Sequence, residues 1–463
     1  MVLPRITISG LRGGSGKTIL SVGLAAAFAK AGETVIPFKK GPDYIDAGWL
    51  GLAAGRTCHN LDTFLVDPHT TVASFASHAK CGSISVIEGN RGLFDSIDPE
   101  GSTSTAELAK LLVSPLILIV DCTKSTRTIA ALVMGCTHFD PDVDLRAVVL
   151  NNVAGPRHES KVRKNIEKYT GISVVGAIPK LTSEDFPERH MGLIPTAEHE
   201  WAHDAINAAG DIASKYVDVA LVRDIARSPL IGTPRTDQTP ITISKPTLSG
   251  NRPVIGVARD SAFQFYYPEN LQALEDAGAD LVMFSLVSGE PLPKMDGLYL
   301  GGGFPETHAK ELAANTTARD QIKALAEAGL PIYAECGGLM FLGKELILEG
   351  EHYPMAGVLP IVFGLCKKPQ GHGYTLVDVS GANPYYPAGF QLKGHEFHYS
   401  SVLEFNGDES DLAFSMVRGK GLINGKDGMT YKNVLATYTH IHALGTPQWA
   451  EGLVRLAAGY CHK

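Results

Sequence analysis

The sequence predicts two α/β domains in one chain, each a largely parallel sheet with flanking helices. Three observations carry this. At 463 residues the chain exceeds the usual span of one hydrophobic core. Short apolar runs alternate with helix-patterned stretches in two separate blocks, the grammar of open α/β sheets. Between the blocks, after about residue 230, the alternation dissolves into a Pro-, Thr- and Ser-rich stretch that reads as a linker. The expected boundaries are residues 1–232 for the first domain, 233–251 for the linker and 252–463 for the second domain.

In the first block, Arg5–Ser9, Thr34–Phe38, Ser83–Ile87, Leu116–Asp121, Leu145–Asn151 and Ser173–Ile178 read as buried parallel strands. Helical patterns cover Lys17–Ala31 and Ser160–Thr170. In the second block, strands are expected at Pro253–Ala258, Leu281–Ser285, Leu298–Leu300 and Ile332–Ala334. Helices are expected near Asn270–Ala277 and Ala309–Ala328. No internal repeat links the halves, so the two domains differ.

Composition narrows the function classes. Hydrophobic residues are 44% and charged residues 19%, as in an ordinary globular protein. A formal net charge of −8 argues against nucleic-acid binding, which calls for a basic stripe. No apolar run is long enough to span a bilayer, no Lys/Arg run suggests a membrane patch, and the start MVLPRITISG turns polar too soon for a signal peptide. The seven cysteines are scattered without a Cys-x-x-Cys pair, which fits free thiols in the cytoplasm.

The first chemical motif is SGLRGGSGKT, residues 9–18, where a strand ends, a glycine-rich turn follows and a helix opens. Glycines let successive N–H groups curl around phosphate oxygens, and the helix N-terminus adds partial positive charge. Gly13, Gly14, Ser15, Gly16, Lys17 and Thr18 are therefore the expected ATP-binding residues. Lys17 would reach the terminal phosphates, and the Thr18 hydroxyl would ligate Mg²⁺. Gly10 and Gly16 enclose five residues instead of the usual four, giving a longer loop. The bland reading, a plain turn between strand and helix, does not account for Gly-Lys-Thr in this context.

Two acidic segments follow strands. KKGPDYIDAGW spans 39–49 and EGNRGLFD spans 88–95. Ligands of such sheets bind beyond the carboxyl ends of the strands, where both segments fall. Glu88 and Asp46, with Thr18, are the expected Mg²⁺ ligands. Asp43, Tyr44 and Asp95 are expected to orient substrate or complete the metal shell, and Lys39 or Lys40 to neutralise the transferred phosphoryl group. The bland alternative is that the acids cap helices and loops.

The second motif is LPIYAECGGLMFLG, residues 330–343, an apolar strand turning through Glu-Cys-Gly-Gly into a helix. A nucleophile on so sharp a turn needs small neighbours, and a helix N-terminus lowers a thiol pKa. Cys336 is therefore the candidate nucleophile. Upstream, DGLYLGGGFPE (296–306) ends a strand in three glycines, so backbone N–H groups at Gly302 and Gly337 could form an oxyanion hole. VLATYTHIHA, 434–443, reads as one strand with His440 and His442 on one face. Either could activate Cys336; His440 is preferred and His442 stays open. The other cysteines fit inert buried thiols.

Taken together, SGLRGGSGKT, KKGPDYID, EGNRGLFD, GVARDSAFQFYYPENL, LGGGFPE, AECGGLMFL, KGHEFHYS and ATYTHIH resemble the cobyrinate a,c-diamide synthase family in order over nearly the whole chain. The resemblance implies a dethiobiotin-synthetase-like P-loop domain followed by a class I glutamine amidotransferase domain of flavodoxin-like α/β fold. It implies that Cys336 and His440 hydrolyse glutamine. The ammonia then converts acetate carboxylates a and c of a corrinoid into amides through acyl phosphates made from ATP, with Mg²⁺ as cofactor. The implied partners are small molecules, and a homodimer stays open. Chemistry agrees: a carboxylate must be phosphorylated before ammonia can displace oxygen, and ammonia is mostly protonated at neutral pH.

Some positions depart from the family pattern. Ala334 stands where Gly often precedes the nucleophile, and His440-x-His442 replaces His-x-Glu. A Cys336/His440 dyad, assisted by Glu396 or another acid, is expected rather than a full triad. Asn90–Arg91 replaces smaller or apolar residues, and Arg91 is placed to pair with a substrate carboxylate. The alternatives are a Ni-sirohydrochlorin a,c-diamide synthase, of the same fold, and a P-loop switch ATPase without amidation, which would leave Cys336 and His440 without a role.

Overall fold

A computed structural model describes residues 3–181, 201–228 and 252–461. The chain divides into two compact units, Met1–Ile241 and Thr242–Lys463. The linker expected at 233–251 lies outside the described residues.

The first unit holds strands β1 (Arg5–Gly10), β2 (Thr34–Lys40), β3 (His59–Leu61), β4 (Ser83–Glu88), β5 (Leu116–Asp121), β6 (Leu145–Val153) and β7 (Ser173–Pro179). Its helices are α1 (Lys17–Lys30), α2 (Ile45–Ala54), α3 (Pro68–His78), α4 (Thr105–Leu111), α5 (Arg127–Phe139), α6 (Pro156–Thr170), α7 (Ala202–Tyr216) and α8 (Val219–Arg227). The strands form one parallel sheet in the order β3-β2-β4-β1-β5-β6-β7.

Both faces are buried, and the period of two shows how. Ile6, Ile8, Ile117, Ile119 and Val149 pack with α1, α2 and α7, while Leu116, Leu118, Val120, Val148 and Leu150 pack with α5 and α6. Helix α1 lies so close to α7 that a Cβ on Gly23 would sit 2.5 Å from the Ala209 carbonyl oxygen. The phosphate-loop helix is thus seated by small residues.

The second unit begins with β8 (Val254–Ala258), β9 (Phe263–Phe265), α9 (Pro268–Asp276), β10 (Asp280–Phe284), β11 (Gly297–Leu300) and β12 (Gly302–Gly303). Next come α10 (Ala309–Ala314), α11 (Thr316–Glu327), β13 (Ile332–Glu335) and α12 (Gly337–Leu342). Strands β14 (Glu345–Leu348), β15 (Glu351–Pro354), β16 (Ile361–Leu365), β17 (Gly371–Val379), β18 (Gln391–His398) and β19 (Ser400–Phe405) follow. The unit closes with β20 (Leu412–Arg418), β21 (Lys426–Tyr431), β22 (Val434–Thr437), β23 (His440–Ile441) and α13 (Gln448–Cys461).

A ten-stranded sheet runs β10-β8-β11-β13-β22-β21-β20-β17-β18-β23. Its first five strands are parallel, in the flavodoxin-like order 2-1-3-4-5. From β21 onward the pairings are antiparallel, an extension the sequence reading did not anticipate. Strands β15-β14-β16-β19 form a separate small sheet. Trp449 of α13 is fully buried, its ring 4.9 Å from Tyr299 and 5.5 Å from Tyr333, which locks the last helix onto the strands that carry the elbow.

Two expected elements are broken. The helix expected over Ala309–Ala328 splits at Asn315, whose side chain accepts the Ala318 N–H and starts a new helix. The single strand expected at 434–443 is two strands, β22 and β23. The buried Asp427 carboxylate accepts Thr437 Oγ1 at 2.7 Å and the N–H groups of Tyr438 (3.1 Å) and Thr439 (3.2 Å). Those hydrogen bonds turn the chain out of β22 and hand His440 to β18, opposite His395.

Candidate active sites

At the carboxyl end of β1, Gly14 (φ 72°) and Gly16 (φ 95°) hold left-handed conformations that other residues adopt only at a cost. Ser15 Oγ and Lys17 Nζ both donate to the Arg12 carbonyl oxygen, at 2.9 and 3.1 Å. Asn151 Nδ2 donates to the Ser15 carbonyl at 3.0 Å, and a Cβ on Gly16 would overlap that same amide. Asn151, at the end of β6, thus buttresses the loop from across the sheet. Burial lowers the Lys17 pKa, with Glu88 opposing.

Beside the loop lies an ion cluster. Lys39, buried at 1% exposure, donates to Asp46 Oδ2 at 2.6 Å and Glu88 Oε1 at 2.8 Å, and lies 3.6 Å from Asp43 Oδ2. Burial works against its charge, but Asp46, Glu88 and Asp43 outweigh it and hold Lys39 firmly protonated. Burial raises Glu88 to about 7 and Asp43 to about 6, whereas Lys39 keeps Asp46 low against its own burial. Thr18 Oγ1 donates to Glu88 Oε1 at 3.0 Å. Thr18, Asp46, Glu88, Lys39 and Asp43 are therefore one cluster.

The remaining expected residues have more local duties. Asp43 accepts the Asp46 N–H at 2.9 Å in the first turn of α2, the capping role allowed for it. Asp95 Oδ2 accepts the Gly92 N–H at 2.8 Å, shaping its loop, and its charge acts on Lys17. Tyr44 is the residue immediately before α2. Lys40 is buried and faces Asp62 and Arg91. Arg91 itself is exposed in a left-handed conformation (φ 51°). Asn60, which sequence reasoning missed, donates to the carbonyls of Gly41 (2.8 Å) and Asp43 (3.0 Å) and fixes the acidic segment.

The donor set suits Mg²⁺. Glu88 Oε2 and Asp46 Oδ1 are buried oxygens without a hydrogen-bond partner, beside the Thr18 hydroxyl. Among the described residues no set of three His, Cys, Asp or Glu side chains is arranged as a complete metal cage. Mg²⁺ does not need one, because it commonly takes one or two carboxylates together with phosphate oxygens.

In the second unit, β13 ends at Glu335 and Cys336 turns at φ 47° and ψ −96°, a left-handed elbow for a non-glycine residue. Such strain costs roughly 1–3 kcal/mol and persists only where surroundings enforce it. Here the Cys336 N–H donates to the Thr437 carbonyl at 2.8 Å, and Gly338 to the Gly301 carbonyl at 3.1 Å. A Cβ on Gly337 would lie 3.1 Å from the Gly303 nitrogen, and one on Gly302 would lie 2.5 Å from His440 Cε1. The glycine turn is therefore wedged between the elbow and the His440 ring, bringing together Cys336, Gly337, Gly302 and His440.

The thiol departs from expectation. A lowered pKa was expected from the helix N-terminus, but burial pushes Cys336 well up and Glu306 adds to it, against the pull of the Gly337 N–H. Helix α12 has only six residues, all buried, so its dipole does not offset desolvation. At rest the Cys336 side chain is thus a neutral thiol, and action as a nucleophile would call for a base.

Glu396 does not assist His440. Its carboxylate accepts Lys420 N–H (2.6 Å) and Gly421 N–H (3.1 Å) and lies 3.8 Å from His398 Nε2. The acid at His440 Nδ1 is Glu335, with Oε2 at 3.3 Å. The expectation that His440 and His442 share one face also fails to make them equivalent. His442 Nε2 lies 3.7 Å from Glu269 Oε2, its ring 4.6 Å from Tyr267. The signal for Glu335 was an acid at the end of an apolar strand, where a buried carboxylate requires a partner.

Comparisons with known proteins agree with both halves. The CobQ/CobB/MinD/ParA nucleotide binding domain matches residues 6–194, and the CobB/CobQ-like glutamine amidotransferase domain matches residues 254–448. The cobyrinate a,c-diamide synthase of Magnetococcus marinus is 45% identical over 455 residues, 98% of this chain and 97% of that protein. The one of Methanothermobacter thermautotrophicus is 38% identical over 458 residues, 98% of this chain and 99% of that protein. The one of Archaeoglobus fulgidus is 36% identical over 459 residues, 99% of this chain and 98% of that protein. A nucleotide-binding unit and a glutaminase unit in one chain, matched end to end by such relatives, place this chain in the cobyrinate a,c-diamide synthase family of glutamine-dependent ligases.

Proposed function

We propose that the chain amidates the a and c acetate carboxylates of cobyrinate, using ATP and glutamine, to give cobyrinate a,c-diamide for cobalamin synthesis. The observation that carries this reading is the gathering of Cys336, the Gly302 turn and His440 in a unit that accompanies a P-loop with Lys17, Thr18 and Glu88. The names of relatives matched over nearly their whole length support cobyrinate as the substrate.

In glutamine hydrolysis His440 takes the Cys336 proton as sulfur attacks the side-chain amide carbon. Backbone N–H groups at Gly302 and Gly337 receive the developing oxyanion. His440 returns the proton to the departing nitrogen, releasing ammonia and leaving a glutamyl thioester that water hydrolyses to glutamate.

In the first unit the substrate carboxylate attacks the terminal phosphate of ATP, giving an acyl phosphate and ADP. Ammonia displaces inorganic phosphate to leave the amide. The P-loop N–H groups and Lys17 hold the phosphates, and Lys39 sets the charge around Asp46 and Glu88. Thr18, Glu88 and Asp46 are the residues that would hold Mg²⁺, which when bound would neutralise phosphate charge. Arg91, exposed and near enough to Lys40 to act on its charge, would meet a carboxylate of the substrate. No described helix is long and apolar enough to cross a membrane, and the free thiols suit work in the cytoplasm.

The test is mass spectrometry of products formed from ATP, Mg²⁺ and glutamine with cobyrinate and, separately, Ni-sirohydrochlorin. Conversion of two carboxylic acids to amides on cobyrinate alone is expected. Conversion of Ni-sirohydrochlorin alone would move the substrate to coenzyme F430 synthesis. Absence of glutamine hydrolysis with either would overturn the amidation reading in favour of a P-loop switch.

A further inference from the structure

A base that accepts a thiol proton must be held in one tautomer, and this chain lacks the carboxylate two residues beyond its histidine. We infer that Glu335, the residue immediately before the nucleophile, is the positioning residue that orients His440 for glutamine hydrolysis. The inference rests on the reading of Cys336 and His440 as nucleophile and base, and goes beyond it by naming the group that makes the base competent.

Glu335 is fully buried, with Oε2 3.3 Å from His440 Nδ1. A carboxylate only accepts, so this contact places the ring proton on Nδ1 and makes Nε2 the accepting nitrogen of the ring. The ring edge carrying Nε2 and Cε1 is the one turned to the glycine turn, since a Cβ on Gly302 would lie 3.3 Å from Nε2 and 2.5 Å from Cε1. The tautomer fixed on one side of the ring is thus the one the chemistry needs on the other.

The carboxylate is itself held. Tyr299 Oη donates to Oε2 at 3.2 Å, and the Ile441 N–H donates to Oε1 at 3.2 Å. Asn270 Nδ2 donates to Tyr299 Oη at 3.3 Å and to the Ile441 carbonyl at 3.0 Å, while its Oδ1 accepts the Ala443 N–H at 2.7 Å. Donors from β11 and from Ile441, directly after His440, thus converge on one acid, and Asn270 of α9 braces both of them, which leaves the carboxylate little freedom to leave the ring. Another buried acid of this unit, Glu269, faces His442, with Oε2 3.7 Å from Nε2.

The experiment measures glutamate release from glutamine, with kcat and KM, on the full chain, alongside ATP-dependent amidation driven by ammonium. Glu335→Gln keeps the volume but offers Nδ1 no carboxylate. Its kcat is expected to fall about 100-fold or more, with KM for glutamine within about threefold and ammonium-driven amidation near wild type. Glu335→Asp should recover about tenfold over Glu335→Gln. Glu269→Gln should stay within about threefold of wild type.

A Glu335→Gln kcat within about threefold of wild type, or a loss confined to KM, would overturn the proposal. Should Glu335→Gln fail to fold, Tyr299→Phe decides. Removing one hydrogen bond to Oε2 should cost about fivefold in kcat at constant KM, and an unchanged kcat would overturn the proposal. Cys336→Ser separates the two readings: if it still hydrolyses glutamine, the nucleophile assignment fails. If it is inactive while Glu335→Gln is active, only the role of Glu335 fails.

Discussion

The two sites differ in how they handle charge. The P-loop site keeps Lys39 ionised in its interior by surrounding it with Asp43, Asp46 and Glu88. In the second unit burial holds the Cys336 thiol neutral, and His440 and His442 each lie beside one buried carboxylate, Glu335 and Glu269. The first is built to meet a polyanion and can retain permanent charges that later face phosphate and metal. In the proposed reaction the second creates a thiolate only while a substrate occupies it, and the ordered His440–Glu335 contact stores the capacity for that charge separation. Substitutions should therefore act on the two units in opposite ways: loss of one charge should unbalance the first site, and loss of geometry should silence the second.

The sharpest way to separate the two sites is Cys336→Ser. Glutamine-driven amidation should fall by about 10³-fold or more, with ammonium-driven amidation retained, measured by product formation with either nitrogen source. Lys39→Met tests the charge half of the comparison. It leaves Asp46 and Glu88 buried without their cation, which should cost about 3–5 kcal/mol of first-unit stability, read as a lower Tm. A melting curve unchanged from wild type would show that the acids do not depend on Lys39.

Gly302→Ala tests the geometric half. Its methyl group would press on His440 Cε1 at 2.5 Å, so kcat for glutamine hydrolysis should drop about 10–100-fold with little change in ATP hydrolysis.

The smallest expected effect concerns His395, stacked 4.8 Å from His440. Burial, then the nearby His440 and His442, hold its pKa well below the usual value. The unfolded chain therefore takes up a proton that the folded one does not, and stability falls as pH drops below about 6.5. By pH 5.5 this should remove about 1.4 kcal/mol, and His395→Gln should flatten that part of a Tm-against-pH curve.

How far the sequence reveals each site follows from the same contrast. The first-unit cluster comes from three short segments at the ends of β1, β2 and β4, each announced by its own residues, so the gathering of Thr18, Lys39, Asp46 and Glu88 was legible. The buttressing amides Asn60 and Asn151 were not, because an asparagine at a strand end looks alike whether it turns the chain or braces a loop. In the second unit Cys336 and the glycine turn were visible for the same local reason. The partner of His440 was not, because Glu335 and His440 meet only through the pairing of β13 with β22 and the turn that Asp427 imposes after it. The six longer strands of the first sheet stood out as continuous apolar runs, whereas three-residue β3 did not. The antiparallel strands from β17 to β21 mix buried with exposed positions, and their apolar signal is correspondingly thin.

The neutral, enclosed thiol of Cys336 has a consequence for how the enzyme withstands oxidants and electrophiles. Peroxides and alkylating agents react with thiolates, and both burial and protonation shield this sulfur while glutamine is absent. Cys122 and Cys136 are likewise buried with raised pKa values, whereas Cys81 lies exposed. Brief oxidative exposure should therefore mark the surface at Cys81 before it reaches Cys336, so that the protein carries scars on its exterior while the enclosed thiol endures.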